Sequence, residues 1–73
     1  MNANHLSPGE TMRLAAAVVL RAGSKHRSEA AWLEDAAVEA DLDSVQLHPA
    51  LMPYARWRKA LAVACVILED ADS

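Results

Sequence analysis

The chain has 73 residues, a formal net charge of −3 and a single cysteine, Cys65. That length implies one domain over residues 1–73 with a modest core, and the acidic balance disfavours nucleic acid and anionic membranes as general partners, because both need a basic field. A lone cysteine excludes an intrachain disulfide and fits a reducing cytoplasm, and the longest apolar run, Ala60 to Leu68, falls well short of the about 20 residues that span a bilayer.

Just over half the residues are apolar, but they are mostly Ala, Leu and Val, and Phe is absent. Alanine forms helices well and buries little area. A small domain with neither disulfide nor metal needs association with another chain or unusually close packing. The opening residues, Met1 to Leu6, read as a loose start without the basic-then-apolar pattern of a leader peptide. Ser7-Pro8-Gly9-Glu10 then carries a cap, a proline suited to the first helical position and a glutamate that completes a capping box. The spacing predicts a helix over about 8–22, ended by Gly23. At 100° per residue its apolar side chains, Leu14 and Val18 among them, cover an arc of roughly 240°.

A second helix is expected over about 25–40, capped by Ser24 or Ser28. It sets Trp32, Leu33, Ala36, Ala37 and Ala40 on one face and Glu34, Asp35 and Glu39 on the other. Asp41-Leu42-Asp43-Ser44 reads as a turn, and Val45 to Met52 as a connector broken by Pro49, with room for a short helical turn from Pro49 to Met52. A third helix is expected over about 53–70, its apolar arc of roughly 200° carrying Tyr54, Trp57, Leu61, Val63, Ile67 and Leu68. Glu69, Asp70 and Asp72 put the wrong charge at its C-terminal end, which predicts fraying there or cations from elsewhere. The fold class is therefore all-α: a three-helix unit, expected to assemble into a larger bundle as a homodimer.

Candidate chemistry is sparse. His5, His26 and His48 lie in three segments, with no spacing that puts two ligands on one helix face, so no metal site is expected. Cys65 sits among apolar neighbours and reads as a small buried hydrophobe. Glu34, Asp35 and Glu39 read as a solvated face, since acid–base work needs a pocket that splits their pKa values. Arg21, Lys25, His26 and Arg27 form one basic cluster, and Arg56, Arg58 and Lys59 another beside Tyr54 and Trp57. The second cluster is expected to meet Glu34, Asp35 and Glu39 across the bundle, setting orientation more than stability. No cofactor motif or catalytic set is present, and no cofactor or enzyme activity is expected.

Two stretches, Ala31-Trp32-Leu33-Glu34-Asp35-Ala36-Ala37 and Ala60-Leu61-Ala62-Val63-Ala64-Cys65-Val66-Ile67-Leu68, resemble segments of small Ala-rich helical proteins of unassigned function from actinobacteria and their phages. The resemblance implies a small accessory or phage-borne protein and transfers no site residue; a protein that acts on a host protein, as small phage proteins often do, is a separate expectation.

The leading expectation is an interaction module that self-associates through apolar helix faces. The residues expected at the interface are Leu14, Val18, Trp32, Tyr54, Trp57, Leu61, Val63, Ile67 and Leu68. The argument is geometric: the apolar arcs of the first and third helices exceed what one subunit covers, so Val18, Trp57 and Ile67 should not all be shielded within a single chain. The alternative is a small DNA-binding or antitoxin-like regulator using the basic clusters at 21–27 and 56–59.

Overall fold

The computed structural model describes residues 6–72. His5 and nearly all of the loose start lie outside the described residues. The chain forms an all-α three-helix unit: α1 (Pro8–Arg21), α2 (Arg27–Gln46) and α3 (Trp57–Asp72), joined by 3₁₀ stretches at Ser24–His26 and Pro49–Tyr54.

The start of α1 follows directly from its sequence. The Glu10 amide donates to Ser7 Oγ at 3.2 Å, and the Ser7 amide donates back to the Glu10 carboxylate at 3.3 Å. These reciprocal bonds satisfy backbone donors that a helix end leaves unpaired. Thr11, buried one turn in, donates its hydroxyl to the Ser7 carbonyl at 2.9 Å. At the other end Gly23 adopts φ 140° and ψ 157°, a region in which a Cβ is strained. Neither Ser24 nor Ser28 caps α2; His26 holds the cap position and makes no side-chain capping bond.

α2 overruns its expected end. Asp41-Leu42-Asp43-Ser44 is helical, and the helix continues to Gln46. Asp and Ser favour turns by bonding to nearby backbone, but here their side chains are engaged in ways the helix accommodates. Asp41 pairs with Arg13 at 2.7 Å, Asp43 accepts from Trp57, and the Ser44 hydroxyl donates to the Asp41 carbonyl at 2.7 Å. No glycine or proline interrupts the run before Pro49. His48 is then extended at ψ 135°, as the residue before a proline must be. The 3₁₀ stretch that follows spans Pro49–Tyr54, longer than the expected turn at Pro49 to Met52. The His48 ring caps it, Nδ1 accepting from the Ala50 amide at 3.1 Å. This stretch takes up Pro53 and Tyr54, so α3 begins at Trp57, later than expected, and it continues helical through the acidic tail to Asp72.

α1 and α2 are antiparallel, with Arg13 near the start of one bonded to Asp41 near the end of the other. Their seam is buried: Met12, Ala15, Ala16 and Val19 face Ala30, Leu33, Ala37 and Ala40. Alanine here lets two helix axes approach closely. Gly9 does the same at the end of the seam, where a Cβ would collide with the Asp41 carboxylate. α3 contributes Trp57, Ala60 and Ala64 to the core, and packs more extensively on α1 than on α2. Among the described residues, no helix is long and apolar enough to cross a membrane.

Candidate interaction surfaces

Five of the nine expected interface residues line two concavities on different helix pairs: Leu14, Val18 and Leu68 the first, Trp32 and Trp57 the second. The first is an apolar groove of about 250 Å³ between α1 and the end of α3, lined by Leu6, Leu14, Val18, Leu68 and Ala71, with Arg21 and Asp72 beside them. Leu14 and Val18 come from the flank of α1's apolar arc, one step round from the buried Met12, Ala15, Ala16 and Val19. Both remain half-buried, as does Leu68. The arc is thus wider than the single chain covers, and the uncovered part lies open along the groove.

The second concavity, also about 250 Å³, lies between α2 and the start of α3. Trp32, Asp35, Ala36 and Glu39 supply one side at i, i+3, i+4 and i+7, and Arg56, Trp57 and Ala60 the other. It exists because two alanines meet at its floor and leave the space between the tryptophans unfilled. Trp57 is only 4% exposed, and its Nε1–H donates to the Asp43 carboxylate at 2.7 Å, which fixes the ring. Trp32 is 41% exposed. The guanidinium of Arg58 stands over the Trp57 ring, 5.9 Å from its centroid. Arg56 reaches Glu39 across the rim at 3.5 Å, with its side chain 89% exposed. The expected meeting of basic α3 with acidic α2 is therefore present in this one pair, while Glu34, Asp35 and Lys59 remain at the surface.

Three expectations need correction. Trp57 is shielded within the chain: it faces the core and has a buried-side partner in Asp43, so it is an internal anchor. Val18 and Ile67 remain half-buried. Cys65 is exposed, because it lies well round α3 from the face formed by Trp57, Ala60 and Ala64. Tyr54 does not share a helix face with Trp57; it belongs to the preceding 3₁₀ stretch and stands 81% exposed. Leu61 and Ile67 pack against the core, and Val63 is half-buried beside them in sequence.

Sequence reasoning missed a third apolar feature. Val38, Leu42 and Val45 recur at i, i+4 and i+7 along the outer face of α2, all exposed. The pattern was hidden because the segment from Asp41 onward reads as a turn and connector. Asp41 and Asp43 were missed as bonding partners for the same reason.

Among the described residues, no group of three or more His, Cys, Asp or Glu side chains converges on a point. No buried side-chain nitrogen or oxygen lacks a partner among them. Neither concavity holds an unpaired buried polar group aimed inward, so what both offer is contact. Comparison of the chain with protein-family models, curated proteins and solved structures gives no significant match.

Proposed function

We propose that the protein is a non-enzymatic interaction module that self-associates as a homodimer through the groove between α1 and α3. The observation that carries this reading is the open flank of Leu14, Val18 and Leu68, an apolar strip that the chain's own side chains leave half-covered. The interior supports it. Among the described residues, eight of the twelve buried core hydrophobics are alanine, and only Met12 and Leu33 are large and fully enclosed. A core of that kind contributes little burial per residue, so hiding more apolar area weighs heavily. At roughly 25 cal/mol per Å², the about 800 Å² per partner of a standard interface is a large gross term, much of it consumed by the cost of association.

Within this reading the protein acts in a reducing compartment, as its single thiol suggests, and serves an accessory role of the kind implied by its two actinobacterial-like segments. Duplex DNA is the weaker candidate partner. The basic cluster at 21–27 sits at the start of α2, whereas Arg56 of the cluster at 56–59 meets α2 at Glu39, so the two do not form one continuous patch. In the second cluster Arg56 is paired with Glu39 and Arg58 lies over Trp57.

The test is native mass. Sedimentation equilibrium at micromolar concentration is expected to give twice the chain mass. Val18→Glu is expected to give the monomer mass with unchanged helical circular dichroism, since Val18 lines the groove and lies outside the core cluster. A monomeric wild-type chain removes the reading, and a dimeric Val18→Glu variant moves the interface off this groove.

A further inference from the structure

We propose that the cleft between Trp32 and Trp57 binds an arginine side chain presented by a different protein. The cleft lies on α2 and α3, away from the groove assigned to self-association, so the two readings stand or fall separately.

Four observations select the ligand. At about 250 Å³ the space is smaller than the roughly 300–1,000 Å³ of small-molecule sites, which suits one side chain better than a metabolite. It is lined by the indole of Trp32, which is 41% exposed and whose face attracts cations, and by Asp35 and Glu39 one turn apart, a spacing that a forked guanidinium can bridge. Asp35 makes no ion pair or hydrogen bond with any described residue, which leaves one rim carboxylate uncompensated. The chain also shows both halves of the recognition on its own arginines: Arg58 over the Trp57 ring at 5.9 Å, and Arg56 at 3.5 Å from Glu39. A planar guanidinium satisfies stacking and bidentate pairing together, whereas an ammonium does not.

Arg56 is a loose occupant of the rim. Its contact with Glu39 is long and its side chain is almost wholly in solvent, so an incoming guanidinium competes with it at low cost. The source is a separate segment, because the arginines of this chain nearest the cleft, Arg56 and Arg58, are held at its rim and over the Trp57 ring and do not fill it.

The experiment titrates the full chain with acetyl-Gly-Arg-Gly-amide and with its citrulline counterpart, following the Trp32 indole N–H by NMR. The expected result is a saturable shift with the arginine peptide and binding at least about fivefold weaker with the neutral isostere. Trp32→Ala, and Asp35→Asn combined with Glu39→Gln, are each expected to weaken arginine-peptide binding by about fivefold or more, the Ala variant read on the backbone amides of α2. Arg56→Ala is expected to tighten it by about two- to fivefold, an increase that a purely structural role for Arg56 does not produce. Equal binding of the citrulline peptide, or no tightening in Arg56→Ala, overturns the proposal. A fall in native mass on adding the arginine peptide also overturns it, by showing that a second copy fills the cleft.

Discussion

α1 and α2 close on each other through small residues along most of their length, whereas α3 brings one large residue, Trp57, into the core and packs chiefly on α1. In the first pairing Ala15, Ala16, Ala30, Ala37 and Ala40 are buried with Met12 and Leu33, and the contact is spread evenly. In the second, Trp57 supplies both the bulk and the polar tie, through Asp43, and only Ala60 and Ala64 follow it into the core. Beyond Ala64, α3 presents half-buried Ile67 and Leu68 to its neighbours, and both concavities lie along its borders. A seam distributed over many alanines resists change in volume anywhere along it, while α3 is most sensitive to loss of volume at its one large buried residue.

The contrast can be broken at the anchor. Trp57→Ala is expected to cost about 3–5 kcal/mol, a large share of the about 5–15 kcal/mol available to native domains. Urea denaturation followed by circular dichroism measures it. Trp57→Phe keeps an aromatic ring but removes the donor to Asp43 and part of the volume, with an expected loss of at least about 1.5 kcal/mol, appropriate to a hydrogen bond on a charged acceptor. A neutral Trp57→Phe would mean that the bond to Asp43 contributes nothing to stability.

The seam is probed by adding volume. Ala37→Leu, at a fully enclosed position, is expected to cost about 1–3 kcal/mol by overpacking. Ala62→Leu, on the outer face of α3, is expected to stay within about 0.5 kcal/mol of wild type. Thermal unfolding separates the two, since 1 kcal/mol moves Tm by about 4–8 °C in a domain of this size. A comparably small effect is expected at the exposed Arg13–Asp41 pair. Arg13→Ala should cost about 0–1 kcal/mol, and raising the salt concentration should shrink the difference.

How far the sequence spoke depended on how local the cause was. The capping box at Ser7 and Glu10, the stop at Gly23 and the break at Pro49 are short-range devices, and each sits where residue chemistry places it. The end of α2 was illegible because Asp41 and Asp43 stay helical through bonds to Arg13 and Trp57, residues far away in the chain. Trp57 was readable as a large anchor of a core or an interface, but its tie to Asp43 was not. The uncovered width of α1's apolar arc was readable from periodicity, and Leu14 and Val18 lie in it half-open. The cleft between the tryptophans was not, because it arises where Ala36 and Ala60 meet, and no spacing within one helix announces a gap between two.

The connection between α1 and α2 is only five residues, so the seam joins segments that are neighbours in the sequence. Asp43 and Trp57 are fourteen residues apart, and the tie that docks α3 therefore closes a short loop. Loop closure of that length costs little conformational entropy, and helical domains dominated by such local contacts fold in microseconds to milliseconds. The hairpin and the tie from Trp57 to Asp43 thus need little chain search, whereas the packing of α3 on α1 joins segments from opposite ends of the described chain.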